Sequence, residues 1–569
     1  MKTKEKKNIN KLYDAIPIII LGIIFIFFTQ VTHKLTTDGN LIWSVGYVLK
    51  TGVISLFGGV ALGDVLYELQ DFLKEKISFK EGTTKNAIKM FFISAVVLTI
   101  VFTVYFLAFY PGILAYDSYA QIGQIMENGY SDHHPLINTL FIKLAFFISN
   151  SIKAEPNTGA AIYICAQGLL INLVFSYGIA LCAKRMGNLY SIIILALLAI
   201  FPFNWFMAIS MTKDVPFSAF FLLFVLAISE FFKLDIKDKS SYLTLCLIGL
   251  GALGCVLNRN NGVYALAFAV LVSVIWTVGY LIYKKVKKES GINLVKKYAY
   301  LIAVVMAAII IGIATTKIAF VKLNAIQGDR REMLSVPIQQ LSRTYMYHGG
   351  SGIYSEDDDS LDEESRQVIS EFILNDGVLL YDPYISDPVK RNTNTWYVVN
   401  RTDKFASTYI RLFCKYPGDY INAFLSLNAG FIDFMDETHA HINEREGEYG
   451  LGYVQTKWEE ISLTERGFCK DSHISLLWKL LDKWTNDNGY LAIPVLKYIF
   501  MPGIYLWIYI FMTVLGIKYK RKTAVMALAF VAGYYLTMFF GPCVQLRYVF
   551  PVMITVPFMA LYWDKKPLL

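Results

Sequence analysis

Between residues 110 and 138 the chain gathers side chains able to exchange protons and hold charge: Asp117, Gln121, Asp132, His133 and His134 share one polar loop between long apolar runs. Three short connections elsewhere carry matching groups: Ser210-Met211-Thr212-Lys213-Asp214, Asn258-Arg259-Asn260-Asn261 and Gln545-Leu546-Arg547. Carboxylates and imidazoles take up or release protons, whereas lysine and arginine hold anionic oxygens. Together they could form an active site for an anionic substrate.

Elements must position these groups. Wound as a helix, residues 115–128 put Asp117, Gln121, Gln124 and Asn128 on one face and Ala115, Tyr119, Ile122 and Met126 on the opposite one. Gly129 is the expected left-handed terminator. Pro135 opens a second helix over 135–150, and both helices are expected to lie on a surface.

At 569 residues, 55% hydrophobic and only 17% charged, the chain has the composition of a polytopic membrane protein. Apolar runs at 15–32, 41–66, 87–109, 159–182, 189–209, 215–232, 242–257, 262–283, 298–320, 498–517, 523–541 and 548–563 are each about long enough to cross ~30 Å of hydrocarbon. The run 135–150 is assigned to the surface, because every basic cluster then falls on one side, as cytoplasmic loops require. The expectation is an all-α protein of twelve spans with both termini cytoplasmic.

Four parts follow from this pattern: a two-span anchor with its cytoplasmic loop (1–86), a transmembrane core (87–320) with outer loop 110–158, an outer domain (321–497) and a three-span bundle (498–569). Residues 321–490 carry 17 Lys and Arg against 27 Asp and Glu, net −10, whereas the remainder carries 36 against 18, net +18. The basic excess thus belongs to cytoplasmic loops and gives no reason to invoke nucleic acid. The outer domain reads as mainly helical, with a capping box at Ser360-Leu361-Asp362-Glu363. Seven scattered cysteines make neither a disulfide framework nor a metal knuckle, although Cys414 and Cys469 could pair. No phosphate-binding glycine motif supports a bound nucleotide.

The candidate groups all surface on one side, while the spans hold almost no charge away from their ends. A coupled transporter needs ionisable groups near the midplane, so this asymmetry favours a surface active site fed by a lipid-borne substrate.

The arrangement resembles the GT-C superfamily of polyprenyl-phosphate-dependent glycosyltransferases. It is most similar to an uncharacterised bacterial branch, through Tyr110-Pro111-Gly112, Asp117-Ser118, Gln121, His134-Pro135, Thr212-Lys213-Asp214 and Arg259-Asn260-Asn261-Gly262. The likeness covers most of residues 88–283. It implies transfer of a sugar from a polyprenyl phosphate in the cell membrane to a cell-envelope glycan or protein acceptor.

In that chemistry Asp117 would be the base, and Lys213, Arg259 and Arg547 would clamp the donor phosphate. Gln121, His133, His134 and Asn260 would meet sugar or acceptor hydroxyls, and Asp132 and Asp214 are candidates for a divalent Mg or Mn ion. Each has a plainer reading: Asp117 as a solvated helix position, the histidines as helix-entry residues, Lys213-Asp214 as an ion pair with a cap, and the arginines as snorkelling span ends. A multi-span transporter or lipid flippase with an outer lid, and a non-catalytic assembly factor, are the competing functions.

Overall fold

A computed structural model of the protein describes residues 2–76, 81–114, 117–289, 291–328, 330–350, 358–435, 457–486 and 493–562. It is an all-α membrane protein, with no strand among the described residues. The first twelve helices are α1 (Lys2–Asp38), α2 (Val45–Lys76), α3 (Thr84–Ala108), α4 (Asp117–Glu127), α5 (Leu136–Ser151), α6 (Pro156–Arg185), α7 (Asn188–Ile200), α8 (Pro202–Ala208), α9 (Asp214–Phe231), α10 (Lys239–Asn258), α11 (Asn260–Val286) and α12 (Ile292–Lys322). A lobe follows, with α13 (Ser335–His348), α14 (Glu363–Phe372), α15 (Asp387–Lys390), α16 (Thr395–Asn400), α17 (Thr402–Lys415), α18 (Pro417–Leu427), α19 (Ala429–Ile432), α20 (Lys457–Glu465) and α21 (Ser475–Asn486). Helices α22 (Pro502–Lys518), α23 (Val525–Phe539) and α24 (Leu546–Thr555) close the chain, with a 3-10 turn over Val556–Tyr562.

Eight helices among the described residues are long and apolar enough to cross a membrane, and α7 with α8 forms a ninth candidate broken by a 63° bend. The bend falls at Phe201-Pro202, where proline cannot continue the preceding hydrogen-bond ladder. Helices α22 and α23 have 17 and 15 residues. At ~1.5 Å per residue they are shorter than the runs expected from hydropathy.

Glycines set the close packing. A Cβ on Gly59 would lie 2.3 Å from Ile23 Cα, so the backbones of α1 and α2 touch at a small-residue seam formed by Gly22, Gly59 and Gly63. Gly251 and Gly254 receive Phe224 and Phe220, which runs α10 antiparallel to α9, while Gly312 packs on Val256 and Gly249 faces Val304, which runs α10 parallel to α12. Helix α9 is the centre of the bundle, 94% of its span being buried.

Gly168 packs on Phe102 and Gly82 on Ala183, which runs α3 antiparallel to α6, and Glu230 meets Lys184 and Arg185, which runs α6 parallel to α9. The ends of α3, α10 and α12 and the starts of α6, α9 and α11 therefore collect on one rim. Helix α5 meets that rim at both ends. Asn138 at its start donates to Asn258 Oδ1 at 3.2 Å, and Ser149 near its end donates to the Glu155 carbonyl just before α6. The segment therefore lies along the rim and does not run to the other side. On the opposite rim the buried Glu230 binds Lys184 and Arg185, each at 2.7 Å.

The lobe has its own core around Ile338, Leu341, Ile369, Phe372, Val389 and Leu412. Its helix α14 is capped by Asp362, which accepts from Ser365 N at 2.9 Å, so the cap lies two residues beyond the expected Ser360 box. The lobe docks on the α1–α2 connection, where Asn422 contacts Leu41 and Trp43 and the buried Arg343 donates to Asn40 Oδ1 at 2.6 Å. Cys414 and Cys469 are both free and form no bridge.

Candidate functional site

Two segments are stitched together beside the rim. Ile113 N donates to the Ile209 carbonyl and Met211 N to the Ile113 carbonyl, both at 2.9 Å. Gly112 enters this bridge with φ +124°, and a Cβ there would meet Ile164 Cδ1 at 2.1 Å and the Ile209 carbonyl at 2.8 Å. Gln167 braces the second segment from α6 by donating to the Ala208 and Ser210 carbonyls. The start of α4 is thereby set against the start of α9.

The consequence is a chain of ion pairs. Lys213 Nζ lies 2.5 Å from Asp117 Oδ2, and Arg547 Nη1 lies 3.4 Å from the same oxygen and 3.2 Å from Asp214 Oδ2. Arg259 Nη1 completes it at 2.8 Å from Asp214 Oδ1. Asp214 is fully buried, whereas the Asp117 and Lys213 side chains keep 17% and 16% exposure, so the cluster is open at the Asp117 end. Arg259 is held from behind by the Tyr548 ring, 4.8 Å from the guanidinium, and by Tyr534 OH, which accepts at 3.0 Å.

Protonation states follow from this geometry. Burial penalises the charge on Asp117, but Lys213 and then Arg547 outweigh it and hold the carboxyl well below its usual range. For His134, burial and then the Lys213 ammonium lower the imidazole to about 3. Since Lys213 donates to His134 Nδ1 at 3.1 Å, that nitrogen is an acceptor and the ring is neutral.

The expected residues separate into groups. Asp117, Lys213, Arg547, Asp214, Arg259 and His134 come together, and the three cations named from sequence share one network. His133 is exposed, its ring 4.7 Å from that of His134, and Asn260 is exposed at the start of α11. Gln121 departs from the expected substrate role. It is fully buried and donates to Asn138 Oδ1 at 3.0 Å and Thr139 Oγ1 at 2.9 Å. Gln121 of the expected polar face is thus turned inward and Met126 of the apolar face is exposed, whereas Ile122 is buried and Asn128 exposed as an amphipathic helix requires. Ala115 and Tyr116 of the expected helix lie outside the described residues. The left-handed terminator is Asn128, φ +52°, with Gly129 N closing the turn on the Gln124 carbonyl at 3.1 Å.

Asp132 serves as a fastener. Its Oδ1 accepts from Gly328 N, and its own N donates to the Ile326 carbonyl at 3.1 Å, tying the loop to the end of α12. Asp214 spends its two oxygens on two guanidinium groups. Asp132 and Asp214 are thus engaged by separate partners, and no group of three His, Cys, Asp or Glu side chains suited to a metal occurs among the described residues.

Sequence reasoning missed the polar layer beneath the cluster. Asn138 Nδ2 donates to Tyr163 OH at 2.8 Å and Asn258 Oδ1 at 3.2 Å, linking α5, α6 and α10. These residues and Gln167 head a groove of about 270 Å³ whose remaining wall is apolar, with Phe141, Leu144, Leu170 and Phe220. An asparagine interrupting the apolar pattern of 135–150 was the available signal. The lobe adjoins the site through Ser386 N, which donates to the Pro542 carbonyl at 2.9 Å in the connection leading to Arg547.

A model of the family described as Family of unknown function (DUF6020) matches residues 126–566, and the chain belongs to that family. No curated protein and no solved structure matches it.

Proposed function

We propose that this member of the family is an integral-membrane glycosyltransferase of the GT-C type, passing a sugar from a polyprenyl-phosphate donor to a cell-envelope glycan or protein on the extracytoplasmic side. The reading takes twelve spans with both termini in the cytoplasm and the lobe outside. The observation that carries it is Asp117, held 2.5 Å from Lys213 and 3.4 Å from Arg547 at the open end of a buried ion-pair chain. Transfer from a lipid phosphate needs such a set: a base for the acceptor hydroxyl and cations for the charge left on the phosphate. The groove headed by Asn138 and Asn258 offers an apolar wall for the donor's hydrocarbon.

In the reaction the acceptor oxygen bonds to the anomeric carbon. The carbon–oxygen bond to the phosphate breaks with its electron pair staying on the phosphate, and the hydroxyl proton passes to Asp117. Lys213 and Arg547 receive the phosphate. Asp214, with Arg259 locked behind it, aims Arg547 and is a positioning residue. As the phosphate draws the two cations away, Asp117 loses the partners that depress its proton affinity and becomes a stronger base.

The test is purified protein in lipid nanodiscs with labelled polyprenyl-phosphate sugar and envelope acceptors. Wild type should release polyprenyl phosphate and Asp117→Asn should not. Folded wild type that releases none with any acceptor overturns the reading. The groove also suits a lipid transporter or flippase. Equal movement of a labelled lipid by wild type and Asp117→Asn, without sugar release, selects that function.

A further inference from the structure

A second groove, of about 330 Å³, opens between the later part of α1, the α1–α2 connection and the lobe helices α17 and α18, lined among others by Phe28, Val31, Trp43, Phe413, Ile421 and Phe424. Polar groups at its edge are already engaged. Trp43 Nε1 donates to Asn422 Oδ1 at 2.8 Å, and Gln340 Nε2 donates to the Tyr420 carbonyl at 3.1 Å. What remains open is hydrocarbon.

The groove continues the exposed apolar face of a helix long and apolar enough to cross a membrane. Helix α1 exposes Ile16, Ile20, Ile24 and Phe28 at four-residue spacing, and Phe28 both ends this stripe and lines the groove. At the other edge Ile42 and Val45, 79% and 76% exposed, flank Trp43. On the lobe side, α17 buries Thr408 and Leu412 against the core but leaves Ile410 and Phe413 exposed one turn apart. An exposed apolar helix face beside a spanning helix has the character of an interfacial element.

We infer that the groove seats one acyl chain of a phospholipid from the leaflet on the lobe's side, and that α17 and α18 rest on the bilayer through Ile410, Phe413 and Ile421. The lipid then fixes the lobe's height above the membrane, adding to the contacts at Asn40 and Asn422. This conclusion is independent of the reaction assigned to Asp117.

The test uses full-length protein in phosphatidylcholine nanodiscs, with p-benzoylphenylalanine replacing Phe413 or Ile421. Phe57, exposed on the spanning helix α2, is the positive control, and Lys404, half a helical rotation from Phe413 on α17, is the negative one. After irradiation, phosphatidylcholine adducts at 413 and 421 should approach those at 57 and exceed those at 404 several-fold. If 57 is labelled while 413 and 421 give no lipid adduct, or crosslink instead to a second copy of the chain, the proposal fails.

Discussion

Lys213 and Asp117 stand 96 positions apart in the chain and meet at 2.5 Å, with the same ammonium 3.1 Å from His134 Nδ1. One cation thereby acts on two acid–base groups: with Arg547 it keeps the carboxyl ionised, and it adds to burial in keeping the imidazole neutral. The pair forms because backbone hydrogen bonds between residues 113 and 209–211 align the starts of α4 and α9, before either side chain contributes.

Asp117→Asn should lower sugar transfer by between about 10² and 10⁴-fold, the usual weight of a positioned general base. The amide preserves size, and Lys213 keeps both His134 and a path to solvent. Abundance in the membrane should therefore match wild type. Release of labelled polyprenyl phosphate together with the amount of folded protein checks this, and activity that survives in the variant refutes the role.

Asp214→Asn should act on stability as well. It strips the shared carboxylate from two guanidinium groups at a fully buried position, and breaking a buried pair costs about 3–5 kcal/mol. Thermal unfolding in detergent reads the loss. Combined with Arg259→Gln, the variant should show a coupling on the order of 0.5–3 kcal/mol, because the second change removes one of the stranded charges. Strict additivity would show that the 2.8 Å contact carries no weight.

Much of this arrangement was legible in the chain. Lys213, Arg259 and Arg547 stand out because positive charge on that side breaks the pattern of the other loops, and Asp117 because it opens a polar helix between apolar runs. Hydropathy could not tell which way the polar face of α4 turns, since Gln121 suits water and a buried amide network equally well. Nor could it show that Asp132 is occupied by Gly328 N, a partner 196 positions away. The Asp214 hub was likewise hidden: a carboxylate at the start of a span reads as a cap or a metal ligand until its two arginines are seen in space.

Two histidines should give stability opposite dependences on pH. His134, neutral in the fold with its pKa lowered to about 3, is protonated more readily in the unfolded chain, so stability falls as pH drops below the unfolded value near 6.5. His348 is opposed by burial but bound by Asp419 at 2.8 Å and Asp358 at 2.6 Å, which raise its pKa. Its contribution is complete below ~6.5 and is lost as pH rises through the folded value. Melting temperatures between about pH 5 and 8 test both signs. His134→Gln should flatten the acid side and His348→Gln the alkaline side, and a common effect of the two variants contradicts the assignment.

Gly112→Ala probes the scaffold without touching a charged group. The position has φ +124°, which an L side chain rarely adopts, and the new methyl carbon would sit 2.8 Å from the Ile209 carbonyl, a backbone atom that cannot swing away. Backbone strain of this kind costs about 1–3 kcal/mol. Because the same carbonyl accepts the bond from Ile113 N, relief of the clash separates the segments that bring Asp117 to Lys213. Transfer activity per folded molecule should therefore fall along with the melting temperature. Gly129→Ala is the comparison: a Cβ there meets nothing within 4 Å, and both quantities should stay near wild type. If Gly112→Ala loses stability but keeps full activity per folded molecule, the bridge is a packing feature and does not set the distance between the two charged groups.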